Sequence, residues 1–293
     1  MPKYTVIMAA KNSAETIGLA VSSVMRGLPS DSEIVVWDDG SVDGTGEEAL
    51  RAGSGKVSVI RAEMSVGSGR ARQNILESTD SEFVINMDSD DVSMPWRFNY
   101  QLDQMDAADF CFSASFRFSK GSLLRKPTLP LSYTDRETRT SLAFHNVLTH
   151  SSMVARRSVL SMVGGYGDFR LAQDYELWLR AASRGARFRR IGVPCLAYRL
   201  SDSQVSSQEG YMDRILTQPG LFNSYLGLLD SLAPGGPSRL PGAGGGDGDI
   251  ESLSYLLPEL LSNFRPPLRY YYRTLLKKNA YGPFHGLRSL NER

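Results

Sequence analysis

Hydrophobic and polar positions in the first half of the chain alternate between two periods. Short, nearly continuous apolar runs occupy 4–10, 33–37, 57–61 and 83–87. Runs of this length, rich in Val and Ile, predict buried strands. Between them apolar residues return every three or four positions. Ile17, Val21, Val24 and Met25 follow Ser13, a helix-capping residue type, and 44–51 and 68–77 predict two more helices. Strands alternating with helices imply βαβ units and a mostly parallel sheet, an α/β fold whose ligands gather beyond the carboxyl ends of strands.

After a strand at 109–116 the period is lost. Residues 117–150, rich in Arg, Lys, Thr, Ser and Pro, suit a binding loop or acceptor-facing insert. A helix is predicted over 173–184, then two short strands at 187–191 and 195–200. The run APGGPSRLPGAGGGDG, from Ala233 to Gly248, is a flexible linker, followed by predicted helices at 250–262 and 268–278. This divides the chain into a domain at 1–206, with halves meeting near 115/116, and a helical extension at 207–293 containing the linker at about 233–249.

Composition narrows the possibilities. A hydrophobic fraction of 41% supports a real core, and a net charge of +1 offers no global attraction to nucleic acid or membrane. Cys111 and Cys195 lie in apolar runs and read as buried thiols. No signal-peptide layout and no run of the roughly 18 apolar residues needed to span a bilayer is present. The expectation is a cytoplasmic protein, with peripheral contact at the inner face of a membrane open to it. The last thirty residues carry seven Arg or Lys against one acid, interleaved with Tyr270, Tyr271, Tyr272 and Phe284. Such a tail either lies on an anionic membrane surface or packs on the core. Packing is favoured, because three adjacent tyrosines do not form one helical stripe. No nucleic-acid module is recognisable, and no nucleic-acid partner is expected.

The densest chemistry lies in NMDSDD, where the apolar run Phe83, Val84, Ile85 ends in Asp88, Asp90 and Asp91. Three clustered carboxylates repel one another, and a divalent cation relieves the repulsion. Asp88 and Asp90 are two apart and share a face of an extended strand end. That pair suits Mg²⁺ or Mn²⁺, which take one or two protein carboxylates and fill other positions with phosphate oxygens and water. The competing reading is local: Asp91 or Ser93 caps the helix that Pro95 opens. At the end of the second strand, EIVVWDDGSVDGT places Asp38 and Asp39 beside a turn glycine, where a carboxylate accepts hydrogen bonds from a nucleobase or ribose, or simply shapes the turn. SVGSGRAR, at the start of the third helix, offers close backbone approach at Gly67 and Gly69, and phosphate-seeking cations at Arg70 and Arg72.

Together these pieces resemble the family 2 glycosyltransferases, which have a GT-A fold. The opening strand and Asn12 look like the family's start, although Ala9-Ala10-Lys11 departs from its usual Pro-Thr-Tyr. DDGSVDGT is close to the nucleotide-binding loop. Gly67 with Ala71-Arg72 matches its Gly-x-x-x-Ala-Arg element, and Asp88-Ser89-Asp90 matches its metal-binding Asp-x-Asp. The stretch from Ser151 to Gly185 is similar to its acceptor-side region. The likeness covers about residues 4–206.

The resemblance implies a donor nucleotide-sugar site at Ala10, Asn12, Asp38, Asp39, Gly67, Arg72, Asp88 and Ser89, and a Mn²⁺ or Mg²⁺ ligand at Asp90. Asp174 falls at the position of the catalytic base, in Gln173-Asp174 where Glu-Asp is usual. His150, Gln173 and Tyr175 fall on the acceptor side. Ser201 replaces the histidine of the family's Tyr-Arg-x-His, which leaves Asp202 as a substitute oxygen ligand. The implied activity is inverting, metal-dependent transfer from a nucleoside-diphosphate sugar, UDP-linked, to a carbohydrate, lipid-linked or other hydroxyl acceptor in glycan, polysaccharide or glycoconjugate biosynthesis. Two alternatives compete. A sugar nucleotidyltransferase needs a glycine-rich activation loop after the first strand, where AAKNSAET stands. A non-catalytic relative has only Gln173 and Ser201 in its favour.

Overall fold

Three parallel ladders organise the N-terminal part of the computed structural model, which describes residues 1–119, 127–169, 171–200, 217–234 and 256–277. Strand β1 (Tyr4–Ala10) pairs with β2 (Ser32–Asp38) on one side and β4 (Phe83–Asn86) on the other; β3 (Val57–Arg61) lies beyond β2. Helices α1 (Ala14–Met25), α2 (Thr45–Ala52) and α3 (Ser68–Ser78) make the crossovers. Val6, Ile7, Met8, Val84 and Ile85 are fully buried. A parallel strand covered on both faces has no polar face to present, which is why these strands read as unbroken apolar runs.

Beyond β4 the direction reverses. Strand β7 (Val154–Arg156) runs antiparallel to β4, and β6 (Phe110–Phe118) antiparallel to β7. Strands β8 (Phe188–Arg199) and β5 (Val92–Ser93) complete the order β3-β2-β1-β4-β7-β6-β8-β5. The change of direction falls beside β4, beyond whose carboxyl end the run Asp88 to Asp91 begins, the position where ligands gather in such sheets.

Four details differ from the sequence reading. The two strands expected at 187–191 and 195–200 are one strand, β8. Pro194 does not break it, because the ladder with β5 begins beyond it, at Leu196 opposite Ser93. Ser13 sits at the N-cap of α1 without capping it; its hydroxyl meets Ser89 at 3.0 Å, and Asp43 accepts from the Ala14 N–H instead, at 3.2 Å. Neither Asp91 nor Ser93 caps the next helix, α4 (Arg97–Leu102), whose N-cap is Trp96. The irregular stretch 117–150 contains α5 (Asp135–Leu142), announced by a capping box in which Thr134 and Glu137 exchange bonds.

The chain forms two compact units. The first holds Met1–Tyr133, Leu148–Leu177 and Arg189–Ser203, and carries the sheet. The second combines Thr134–Val147 and Trp178–Phe188 with the described residues from 217 on. The expected boundary at 206/207 lies outside the described residues, as do Ser201, Asp202, most of the linker and the tail beyond 277. Within the second unit, helix α8 (Pro219–Leu232) packs with α5, and α9 (Leu257–Ser262) packs with α10 (Pro266–Lys277). Glu137, 1% exposed, accepts from Arg265 Nε and Nη2 at 2.7 Å each and from its backbone N–H at 3.0 Å. Tyr225 donates to the Ala143 carbonyl at 2.8 Å, and Phe264 stacks on Tyr272 at 4.3 Å. Tyr272 is buried while Tyr270 is 76% exposed. The tyrosine triplet therefore belongs to a helix with one face packed. No helix among the described residues is long and apolar enough to cross a membrane.

Candidate active site

Loops at the carboxyl ends of the parallel strands, joined by segments of the antiparallel half, build the site. The loop after β2 folds against the β1–α1 connection. Asn12, at φ 50°, donates its N–H to Ser41 Oγ (2.9 Å) and accepts from the Val42 N–H (3.0 Å). Asp43 accepts from the N–H groups of both Ala14 and Thr45, at 3.2 and 3.1 Å, and so serves two helix starts. Asp38 is buried, accepts from the Ser41 N–H at 3.1 Å and lies 3.5 Å from Arg61 Nε. Asp39, whose N–H donates to the Ala10 carbonyl, grips the next loop: it accepts from Ser65 Oγ (2.6 Å), Val66 N (2.8 Å) and Gly67 N (3.0 Å). Burial pushes its carboxyl up, but these donors outweigh it and hold the group below the ordinary carboxylate range. Gly40 is required where these loops meet, since a Cβ there would stand 3.1 Å from the Ser65 nitrogen and its φ is 69°.

The loop after β4 carries the acids. Arg72, buried on α3, donates to Asp88 Oδ1 (2.6 Å), Asn86 Oδ1 (2.9 Å) and the Ser68 carbonyl (3.1 Å). Asn86 adds its Nδ2 to Asp88 Oδ1 at 3.1 Å, and the Asp88 N–H donates to Ser151 Oγ at 3.0 Å. Burial works to raise Asp88, but the neighbouring charges, Arg72 first, together with the hydrogen bonds from Asn86 and Arg72 outweigh it and hold the carboxyl below the ordinary range. Asp90 is displaced the other way, upward, by burial and then by the Asp88 charge. Asp91 is 1% exposed and raised further by burial and both neighbours, with only its Oδ1 bonded, to the Arg199 N–H at 2.8 Å. Arg199 also donates from Nε to the Asp90 carbonyl at 2.8 Å.

The third component comes from the antiparallel half. His150 Nε2 meets the Tyr166 hydroxyl at 2.8 Å, and burial, with Arg72 nearby, pushes the imidazole down to about 3, so it is neutral near pH 7. Helix α7 (Gln173–Ser183) starts beside α3: Gln173 Nε2 donates to Ser68 Oγ at 3.0 Å, and a Cβ on Gly69 would meet the Gln173 side chain at 3.3 Å. Asp174 is half-buried one residue on. Two phenols lie within its field. Tyr166 is raised by burial first, with Asp88 and Asp174 adding to it; Tyr198 is raised by burial and then by Asp91, Asp88, Asp90 and Asp174. One side chain thus feels both the strand-end acids and Asp174. Ala172, immediately before α7, holds φ 57°, a left-handed conformation that costs a non-glycine residue about 1 kcal/mol or more. Tyr175 and Glu176 are buried on the inner side of the helix, at 1% and 3% exposure.

The fold therefore brings Ala10, Asn12, Asp38, Asp39, Gly67, Arg72, Asp88, Ser89, Asp90, His150, Gln173 and Asp174 to one end of the sheet. Tyr175, expected on the acceptor side, is buried one residue further along α7. Sequence reasoning gave no role to Ser65 and Tyr166, which no local pattern singles out, nor to Asp43 and Tyr198, although these lie inside the DDGSVDGT and Tyr-Arg-x-His stretches. Arg72, expected at phosphate, is bonded to Asp88.

Among the described residues no group of three or more His, Cys, Asp and Glu forms a metal cage. The available donors are the neighbouring carboxylates Asp88 and Asp90, with a buried, unbonded Asp91 Oδ2 behind them. A hard cation that keeps most of its coordination for phosphate and water fits such a donor set, and it would relieve the charge that raises Asp90.

Residues 5–164 match the family model for glycosyl transferase family 2. The chain belongs to this family. It is a glycosyltransferase with a GT-A fold. It is 29% identical over 199 residues to succinoglycan biosynthesis protein ExoU of Rhizobium meliloti, a match covering 63% of this chain and 58% of that protein. It is 26% identical over 208 residues to Escherichia coli WfgD, a UDP-Glc:alpha-D-GlcNAc-diphosphoundecaprenol beta-1,3-glucosyltransferase, covering 70% and 80%. Its fold is similar to that of S. aureus TarS 1-349 in complex with UDP-GlcNAc, with a TM-score of 0.61 at 16% identity over 99% of this chain and 92% of that one. Mannosyltransferase PcManGT from Pyrobaculum calidifontis, in complex with GDP-Man and Mn²⁺, gives a TM-score of 0.57 at 15% identity, covering 99% and 84%.

In this glycosyltransferase the acid-rich strand end is balanced by arginines. Asp88 is ion-paired with Arg72, Arg199 binds the backbone of Asp90 and the carboxylate of Asp91, and the buried Arg97 lies behind the cluster. Arginines therefore surround the acid run, and a divalent cation bound there would add positive charge at this end of the sheet.

Proposed function

We propose that this glycosyltransferase transfers a sugar, with inversion and with the help of Mn²⁺ or Mg²⁺, from a UDP-linked donor to a hydroxyl of a polysaccharide or lipid-linked glycan acceptor. The observation that carries the reading is the acid run Asp88–Asp91 at the end of β4, tied through Arg72 to α3, with α7, which opens on Gln173-Asp174, held beside the same end of α3 by the 3.0 Å bond from Gln173 to Ser68. Inverting transfer requires a base on the acceptor side and an acid-rich end for the donor. Asp174 takes the proton of the acceptor hydroxyl as its oxygen bonds the anomeric carbon. The bond from that carbon to the diphosphate breaks, and the electron pair leaves with the nucleotide. Asp39, Asp38 and the Ser65–Gly67 backbone hold the nucleoside side, and Arg72 keeps Asp88 ionised. Asp90, beside Asp88, would hold the cation; Asp202 lies outside the described residues. When bound, the cation neutralises charge on the departing diphosphate.

The relatives support the finer terms. WfgD is named for a UDP-linked donor and a diphosphoundecaprenol acceptor, ExoU for succinoglycan biosynthesis, and TarS holds UDP-GlcNAc. PcManGT binds Mn²⁺ with a GDP-sugar, so a donor screen includes GDP-mannose. The test is Asp174→Asn, which removes the proton acceptor and nearly preserves volume. UDP binding should survive, while single-turnover transfer falls by about 10²–10⁴-fold. Loss of UDP binding together with transfer makes Asp174 structural. Near-normal transfer assigns the proton to another carboxylate.

A further inference from the structure

The strand end that carries Asp88 and Asp90 is held from behind by a pair the mechanism does not use. Arg97 is fully buried on α4 and forms no ion pair with any carboxylate among the described residues. Its Nη2 donates to the carbonyls of Asn86 (3.0 Å) and Met153 (3.4 Å), its Nη1 to Met87 Sδ (3.4 Å) and its Nε to Gln101 Oε1 (2.9 Å). Gln101, also fully buried, uses its Nε2 on the carbonyls of Ser152 (2.7 Å) and Cys111 (3.3 Å). The two side chains therefore tie the last residues of β4 to the turn His150–Ser152. That turn supplies Ser151 Oγ to the Asp88 N–H and the His150 carbonyl to Asn86 Nδ2, at 3.0 and 3.2 Å. The same two segments are thus joined in front by neutral groups and behind by a guanidinium.

A buried, unpaired guanidinium is an expensive way to fill a core. Apolar residues of similar volume usually stabilise such a site at least as well. Cys111 and Cys195, the other ionisable groups around it, are pushed up to about 12 and about 11 by burial and so carry no charge to offset it. The charges that do face it are Asp91 and Asp88. Its placement makes sense for fixing the acid-bearing segment, not for adding stability.

We propose that Arg97 and Gln101 are positioning residues that pin Asn86–Met87 to Ser152–Met153, so that Asp88 and Asp90 keep one spacing when a cation and a diphosphate arrive. The proposal rests on the reading of Asp88–Asp90 as the metal and diphosphate end. The variants are Arg97→Met, Arg97→Lys and Gln101→Leu. UDP binding is titrated by calorimetry with and without Mn²⁺, beside thermal melts and amide exchange at 86–90 and 150–153. Metal-free UDP affinity should stay near that of the parent. The gain produced by Mn²⁺ should shrink by about 10- to 100-fold in Arg97→Met, as for other partners that orient metal ligands. Lysine should restore part of it, and exchange at Met87 and Asp88 should quicken. If Arg97→Met does not fold, Gln101→Leu carries the same expectation. Folded variants with the parent's Mn²⁺ gain, or with metal-free and metal-bound affinity lost in equal measure, overturn the proposal and leave the pair purely structural. A parent without any Mn²⁺ gain overturns the metal reading as well, and the two failures are told apart by that control.

Discussion

Replacing Arg72 by methionine removes a buried cation and three hydrogen bonds while keeping a side chain of similar reach. Arg72 is 5% exposed, and its partners are Asp88, Asn86 and the Ser68 carbonyl. Removing one member of a buried ion pair costs about 3–5 kcal/mol, because the other charge is left uncompensated. Asp88 is not sealed: its side chain is 27% exposed and keeps the Asn86 amide. Water on that side brings the expected loss to about 2–4 kcal/mol. At about 2–4 °C per kcal/mol for a chain of this size, the melting temperature should fall by about 4–16 °C. Asp88→Asn and the double variant close a thermodynamic cycle, measured by urea denaturation without ligand. A coupling of about 1–3 kcal/mol is expected for groups in such contact. A melt within about 0.5 kcal/mol of the parent, combined with weakened UDP binding, refutes the reasoning; the guanidinium would then serve the donor and not Asp88.

Asp90→Asn should lower UDP affinity in Mn²⁺ and leave metal-free affinity little changed; equal Mn²⁺ dependence in variant and parent, by calorimetry, removes Asp90 from the metal site. Asp39→Ala should weaken UDP with and without metal, since it also frees Ser65, Val66 and Gly67; a loss confined to the metal-dependent part moves the role to Asp88–Asp90. His150 is depressed by burial to about 3 when folded. Between that value and its unfolded value near 6.5, the unfolded chain binds the extra proton. Its contribution is therefore complete above pH 6.5 and is lost as pH falls. His150→Gln should flatten the pH dependence of stability by about 1.4 kcal/mol per pH unit in that window. An unchanged slope, in urea melts from pH 4 to 7, would show that the folded histidine protonates freely.

Much of this protein was legible because its first half is built from local periods. The parallel strands are covered on both faces, so Val6, Ile7, Met8, Val84 and Ile85 could only be apolar, and the acids that end those runs stood out at the strand tips. Spacing alone put Asp88 and Asp90 together, and the ordered motifs gave the family. Tertiary structure decided what each charge does. Asp39 and Arg72 look like ligand-seeking groups in the sequence; only the fold shows that each also has a protein partner distant in the chain, Ser65–Gly67 for one and Asp88 for the other. Ser13 has the residue type of a helix cap but yields that task to Asp43, which lies 29 residues from Ala14. Pro194 reads as a break, yet lies within a strand whose β5 ladder does not need its missing N–H. Tyr166, Arg97 and Gln101 carry no local signal at all. Their importance comes from which carboxylates and carbonyls the antiparallel half brings beside them, and periodicity, which specifies a face, does not specify the partner on that face.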